Sequence, residues 1–311
     1  MSATVAGRRY RGRFAPSPTG PLHFGSLVSA TASYLQARRH RGEWLLRIED
    51  LDPPREPPGA AAAILQTLER HGFEPNGEIL YQSRRQAAYA AALDELSRGG
   101  QLYACRCSRR AIQASARRGP AGPVYPGTCR STPPPSPGER VALRARLPAG
   151  RYGFADRLQG AYTLAAGRDF GDPVLRRRDG LIAYALAVVV DDAWQGITEV
   201  VRGTDLLALT PGQICLQKLL GLPTPAYLHH PIALNDSGQK LSKQAGAARV
   251  DDRWPGANLA AALRFLRLPV PAGLARWPLA SIWAWAEAHW EPERLTGLRA
   301  ARWQPSTGYL R

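Results

Sequence analysis

Among 311 residues there are only four cysteines, and acidic residues are scarce: 25 Asp and Glu stand against 41 Lys and Arg. No long hydrophobic run is present. The longest uncharged apolar stretch, GLIAYALAVVV between Asp179 and Asp191, falls well short of the roughly 20 residues that a membrane helix needs. The opening from Met1 to Arg13 is mixed and polar, without the basic, apolar and small-residue succession of a secretory leader. A soluble, cytoplasmic protein is therefore expected, with no membrane partner. No internal repeat is visible. Three of the four cysteines, Cys105, Cys107 and Cys129, are crowded together, which resembles a local metal site in a reducing compartment more than a disulfide framework. Three reduced cysteines in a small core would read the same way. Cys215 stands apart and reads as a buried helix residue.

The scarcity of acids leaves a net charge of +16, which favours a polyanionic partner: RNA, DNA or anionic lipid. A solvated basic surface gives the same number, so charge alone is only a hint. The chain is long enough to bury a large core as one large domain or two to three smaller ones.

YRGRFAPS reads as a short strand entering a turn, followed by LVSATASYLQARRH at helical spacing with Gly42 as its stop. EWLLRIEDLD reads as a buried second strand with acids at its carboxyl end, then an Ala-rich helix over Gly59 to His71 and a strand-like EILYQ. This alternation predicts an α/β fold with a Rossmann-type doubly wound parallel sheet, whose ligand site lies beyond the carboxyl ends of the strands. Residues 1–100 form its first half on this reading. Residues 101–180, with the Pro-rich loop STPPPSPGER, read as an inserted α+β module. The fold resumes over 181–235, and 236–311 is a loop followed by a short helical region. The tryptophans at 277, 283, 285, 290 and 303 read most simply as helix packing, with base stacking as the alternative.

RFAPSPTGPLHFGSL, from Arg13 to Leu27, concentrates Pro and Gly ahead of the first helix. A helix N-terminus attracts phosphate through its unpaired N–H groups and its partial positive charge. Gly20 and Gly25 allow a close backbone approach, and the prolines stiffen the loop. His23 is placed either to donate to phosphate oxygens or simply to cap the helix. A nucleoside triphosphate is the candidate ligand. Further on, NDSGQKLSKQAG carries Lys240, Ser242 and Lys243 in a Gly-flanked loop, suited to pairing with a leaving pyrophosphate once substrate has bound.

PSPTGPLHFGS and KLSKQ resemble the HIGH and KMSKS signatures of class I aminoacyl-tRNA synthetases. With LLRIEDLDPPRE and AVVVDDAWQGITEVVRGTDLL, the likeness extends over about residues 13 to 245 and is to the glutamyl branch. Ser26 and Gln244 depart from the usual motif letters. The resemblance implies activation of L-glutamate by ATP with Mg²⁺, followed by transfer to an RNA hydroxyl. It assigns Pro16, Gly20, His23, Gly25, Ser26 and Lys243 to ATP, with His23, Lys240 and Lys243 in catalysis. It assigns Arg13, Phe14, Ala15, Pro16, Ser17, Glu49, Tyr184 and Arg202 to glutamate. The residue types suit such a ligand: guanidinium groups for its carboxylates and an acid for its amine. Cys105, Cys107 and Cys129 leave one position of a tetrahedral zinc open, the inserted segment has no His, and the resemblance gives the fourth place to Tyr125. One structural Zn²⁺ per chain is expected, taking no part in the chemistry.

Only about 65 residues follow Lys243, less than the helical anticodon-binding region of full glutamyl enzymes. In this the chain is similar to the glutamyl-queuosine tRNA(Asp) synthetases. That likeness implies queuosine at the wobble position of tRNA(Asp) as acceptor, with the anticodon stem-loop gripped by the inserted module. The alternatives are a truncated enzyme charging a tRNA 3′ end and a catalytically silent RNA-binding paralogue. A monomer is the default.

Overall fold

The computed structural model describes residues 9–241 and 248–303. The chain opens by alternating strand and helix: β1 (Arg11–Phe14), α1 (Phe24–Arg39), β2 (Glu43–Ile48), α2 (Ala60–Arg70), β3 (Leu80–Tyr81) and α3 (Gln86–Arg98). An intervening segment holds β4 (Leu102–Cys105), α4 (Arg109–Ser115), β5 (Arg117–Gly119), β6 (Gly122–Val124), β7 (Ala142–Ala145), β8 (Arg151–Asp156), β9 (Gly160–Ala165) and β10 (Val174–Arg176). Then follow α5 (Tyr184–Trp194), β11 (Glu199–Gly203), α6 (Thr210–Leu219), β12 (Ala226–His230), β13 (Ile232–Leu234), α7 (Pro255–Phe265), α8 (Leu279–His289) and β14 (Ala300–Arg302).

β1, β2 and β3 are parallel neighbours, and so are β11 and β12. The two groups meet where Arg11 and Thr198 exchange hydrogen bonds: Arg11 N donates to Thr198 Oγ1 (2.9 Å) and Thr198 N to the Arg11 carbonyl (2.9 Å). Helices cover both faces. Val201 and Leu228 join the core built by α1, α7 and α8, while Val200 and Tyr227 pack with Ile214 of α6. The intervening segment has its own antiparallel sheet, β10-β7-β4, yet β8 pairs with β12 at Asp156 and Tyr227, so the β8–β9 hairpin extends the parallel sheet.

Two local outcomes differ from the sequence expectation. The left-handed residue after α1 is Arg41 (φ 49°) rather than Gly42. Gly42 serves a close approach instead, since a Cβ there would stand 2.5 Å from the Tyr10 carbonyl oxygen. The tail is also not purely helical: β14 adds in parallel to β13, a pairing made by backbone groups that leaves little trace in residue type. Of the tail tryptophans, Trp283 and Trp290 are buried and donate to the His71 carbonyl (3.0 Å) and Gln36 Oε1 (2.8 Å).

Trp44 on β2 is 1% exposed, stacked between Phe14 and Phe73, edge-on to Tyr34, and donates to Ser33 Oγ (2.9 Å). Trp44→Ala removes that payload and leaves a cavity in the core between Phe14, Tyr34 and Phe73. It is expected to lower the unfolding free energy by about 3–5 kcal/mol, measured by urea denaturation.

Candidate active site

β1 ends at Phe14, and the chain turns through a Pro-rich loop before α1. Glu49 N donates to the Pro16 carbonyl (3.0 Å), fastening this loop to the end of β2. Gly20 adopts φ 135°, a conformation that side chains oppose. His23 is the N-cap of α1, its Nδ1 accepting from Ser26 N at 3.3 Å. A Cβ on Gly25 would approach His23 Cε1 to 3.1 Å, so glycine there leaves the ring its position.

A cleft of about 540 Å³ opens beyond the carboxyl ends of β1, β2, β11 and β12. Arg13, Phe14, Ala15, Pro16, Ser17, His23, Gly25, Ser26, Glu49, Tyr184, Arg202 and Lys240 all line it. Gly20 shapes the turn and is not among the lining residues. Lys240 is ion-paired with Asp205. Ser242, Lys243 and Gln244 lie outside the described residues. The chain on either side of them is held at the His23 turn: Leu241 N donates to the Ala233 carbonyl (2.8 Å), Leu241 lines the cleft, and Val250 N donates to the Leu22 carbonyl (2.9 Å).

A chain of buried charges runs under the floor. Arg13 Nε and Nη2 donate to the two Asp192 oxygens (3.1 and 3.3 Å). Arg47 Nη1 donates to Asp192 Oδ1 and Gln195 Oε1 (both 2.8 Å), and its Nη2 to Glu49 Oε1 (3.2 Å). Burial pushes the Glu49 carboxyl up from its ordinary value, opposed by Arg47 and Arg13. Burial works against the Asp192 carboxylate too, but there the two arginines win and hold its pKa below the usual range.

Arg202 is different. It is 5% exposed, and its donors go to neutral groups: His229 Nε2 (3.0 Å), Tyr184 OH (3.4 Å), Thr210 Oγ1 (2.8 Å) and Gln213 Oε1 (2.8 Å). Among the described residues no carboxylate pairs with it. A buried cation without a counter-ion beside a cleft is a place for an anion.

Sequence reasoning missed Arg47, Asp192, Thr210, Gln213, His229 and Asp156. The signal for two of them was present as charges bordering apolar runs, Arg47 in EWLLRI and Asp192 in the acidic pair after AVVV.

The sulfurs of Cys105, Cys107 and Cys129 lie within 4.8 Å of one another. Tyr125 OH is 3.5 Å from Cys105 Sγ and 3.7 Å from Cys107 Sγ, and it accepts from Cys129 N at 2.9 Å. Tetrahedral zinc with Zn–S near 2.3 Å holds its sulfurs about 3.8 Å apart, so this donor set fits such an ion. Beside it, a second cleft of about 550 Å³ is lined by Arg109, Arg140, Arg144, Arg177 and Arg178 with the single acid Asp179, and runs from Cys107 to Ala183, the neighbour of Tyr184.

A strand-end cleft with a Pro- and Gly-rich helix entry is the place where an α/β fold binds a nucleotide. The family model described as tRNA synthetases class I (E and Q), catalytic domain, matches residues 9–272, and the chain belongs to that family. Within it, the chain is 56% identical over 283 residues to the glutamyl-Q tRNA(Asp) synthetase of Dechloromonas aromatica, covering 90% of this chain and 94% of that one. It is 52% identical over 286 residues to the glutamyl-Q tRNA(Asp) synthetase of Chromobacterium violaceum, covering 92% and 95%. The crystal structure of glutamate-tRNA synthetase from Elizabethkingia anophelis shares the fold, with a TM-score of 0.78 at 23% identity over 96% of this chain and 68% of that one.

His229 is fully buried, and burial brings its pKa down to about 4 despite the hydrogen bond to Asp156. An unfolded chain takes up that proton near the ordinary value of about 6.5, while the native chain does not until about pH 4. Stability is therefore expected to fall as pH drops across that window. Urea midpoints measured against pH should slope less steeply for His229→Gln than for the wild type, the remaining slope including His71 and His230, whose values burial also lowers.

Proposed function

We propose that this chain activates L-glutamate with ATP·Mg²⁺ to glutamyl-adenylate and transfers the glutamyl group to queuosine at the wobble position of tRNA(Asp). The observation that carries this reading is the buried Arg202 guanidinium, which has only neutral partners and lines the same cleft as Arg13 and Glu49. Glutamate carries two carboxylates and one ammonium. Arg202 with Tyr184 receives the side-chain carboxylate, Arg13 with the Ala15–Ser17 backbone borders the α-carboxylate, and the ammonium completes Glu49, whose charge burial otherwise disfavours.

The α-carboxylate oxygen attacks the α-phosphorus in line and pyrophosphate leaves. No protein nucleophile is required, so positioning and charge stabilisation carry the rate. His23 and the first turn of α1 border the phosphates, and Lys240 and Lys243 offset the charge of the leaving group. A queuosine ring hydroxyl then attacks the acyl carbon, an ester forms, and AMP departs. The relatives named above support this acceptor. The arginine-lined cleft that ends beside Tyr184 suits the phosphates of the RNA that presents it. A cytoplasmic location fits this substrate, and among the described residues no helix is long and apolar enough to cross a membrane.

Radiolabelled glutamate, ATP and Mg²⁺ supplied with queuosine-bearing tRNA(Asp), with the same tRNA lacking queuosine, and with tRNA(Glu) should label only the first. Label on tRNA(Glu) overturns the acceptor, and absence of glutamate-dependent pyrophosphate exchange overturns the activity.

Cys105, Cys107, Tyr125 and Cys129 would hold one structural Zn²⁺, which supplies cross-linking to a loop-rich segment and no catalytic chemistry. Metal analysis of purified protein is expected to find about one zinc per chain, with chelation lowering the melting temperature. A content below about 0.2 per chain rejects the site.

A further inference from the structure

Arg202 is oriented from behind by two residues to which neither the cleft nor the motifs assign a part. His229 Nε2 accepts from Arg202 Nε at 3.0 Å, and His229 Nδ1 lies 2.6 Å from Asp156 Oδ2. His229 and Asp156 side chains are fully buried. The hydrogen positions follow from the partners. Asp156 accepts backbone N–H groups from Leu158 (3.0 Å), Gln159 (2.9 Å) and His229 (3.1 Å), so its carboxylate is an acceptor and the imidazole proton must sit on Nδ1. Nε2 is then bare, the one form that can receive a guanidinium N–H. Thr210 completes the cradle: its oxygen accepts from Arg202 Nη2 (2.8 Å), and its hydroxyl donates to the Leu206 carbonyl (3.2 Å).

With Nε on His229 and Nη2 shared between Thr210 and Gln213, the Nη1 edge is the one turned to Tyr184 and the cleft. We propose that Asp156 and His229 are positioning residues that aim the Nη1 edge of Arg202 at the substrate's side-chain carboxylate and thereby set the preference for glutamate over glutamine. This rests on the reading of Arg202 as the partner of that carboxylate. A carboxylate in direct contact would position Arg202 as firmly, but it would also neutralise the cation. Setting the acid one imidazole away fixes geometry and leaves the positive charge for the substrate. A carboxamide brings no charge to meet it, and its NH₂ would oppose a donor-only guanidinium.

Asp156→Asn retains an oxygen for the Leu158 and Gln159 N–H groups but presents an NH₂ to His229, moving the ring proton to Nε2, where it faces Arg202 Nε–H. In glutamate-dependent pyrophosphate exchange, KM for glutamate is expected to rise roughly 10- to 100-fold, by analogy with the loss seen when the residue orienting a metal ligand is removed. KM for ATP should hold, and the glutamate-to-glutamine preference should shrink by a similar factor. Because Asp156 also serves three backbone N–H groups, the pair His229→Gln and His229→Leu gives a second reading. Both cut the link to Asp156, but only Gln offers Arg202 an acceptor, so its KM for glutamate should lie several-fold below that of Leu, with matched melting temperatures. Equal KM for the two, or a folded Asp156→Asn with unaltered KM and preference, overturns the relay alone. A wild-type protein without glutamate-dependent exchange overturns the functional reading, and the relay with it.

Discussion

Asp192 receives Arg13 of β1 and Arg47 of β2 at once, across sequence separations of 179 and 145 residues. It sits on α5, the helix that follows the intervening segment, and so keys the second stretch of the parallel sheet onto the first. All three side chains are nearly inaccessible. A buried charge left unpaired is severely disfavoured, so the two halves can close only in the register that brings these groups together. Apolar packing between the same elements would tolerate a helix sliding by part of a turn; two guanidinium groups sharing one carboxylate would not. The loop from Ala15 to Ser17 and the end of β2 at Glu49 inherit their positions from that closure.

The cleft takes its chemical character from what this pairing leaves over. Arg13 and Arg47 are balanced within the protein by Asp192 and Glu49, whereas Arg202 reaches the same cavity held only by neutral acceptors. Among the described residues Arg202 has no carboxylate partner, so its charge is left toward the cleft. Its orientation is set beforehand by His229, Thr210 and Gln213, so little rearrangement is required when an anion binds. The cysteine cluster and the arginine-lined cleft belong to the segment between α3 and α5, and that cleft reaches Ala183, next to Tyr184 of the first cleft.

Much of this was legible in the letters. Alternating strands and helices, the Pro- and Gly-rich entry to α1, Glu49 at the end of a buried strand and the crowding of Cys105, Cys107 and Cys129 are local patterns, and each came from spacing alone. His23 was legible only as a choice between cap and ligand, and the structure gives it a capping hydrogen bond while leaving it on the cleft wall. Residues with no local pattern were not legible. Asp156 lies in a strand of the inserted region, and nothing in RYGFAD suggests a partner 73 residues away. The extension of the parallel sheet by β8 and β9 was hidden for the same reason.

By itself, then, the sequence determined the inventory of chemistry-bearing groups and their arrival at the ends of strands, because helix and strand periods and turn residues act between near neighbours. Only the tertiary structure decided which arginines would be neutralised and which would remain charged toward the cleft. That outcome depends on distances of about 3 Å between side chains far apart along the chain, and on burial, which makes each such distance count.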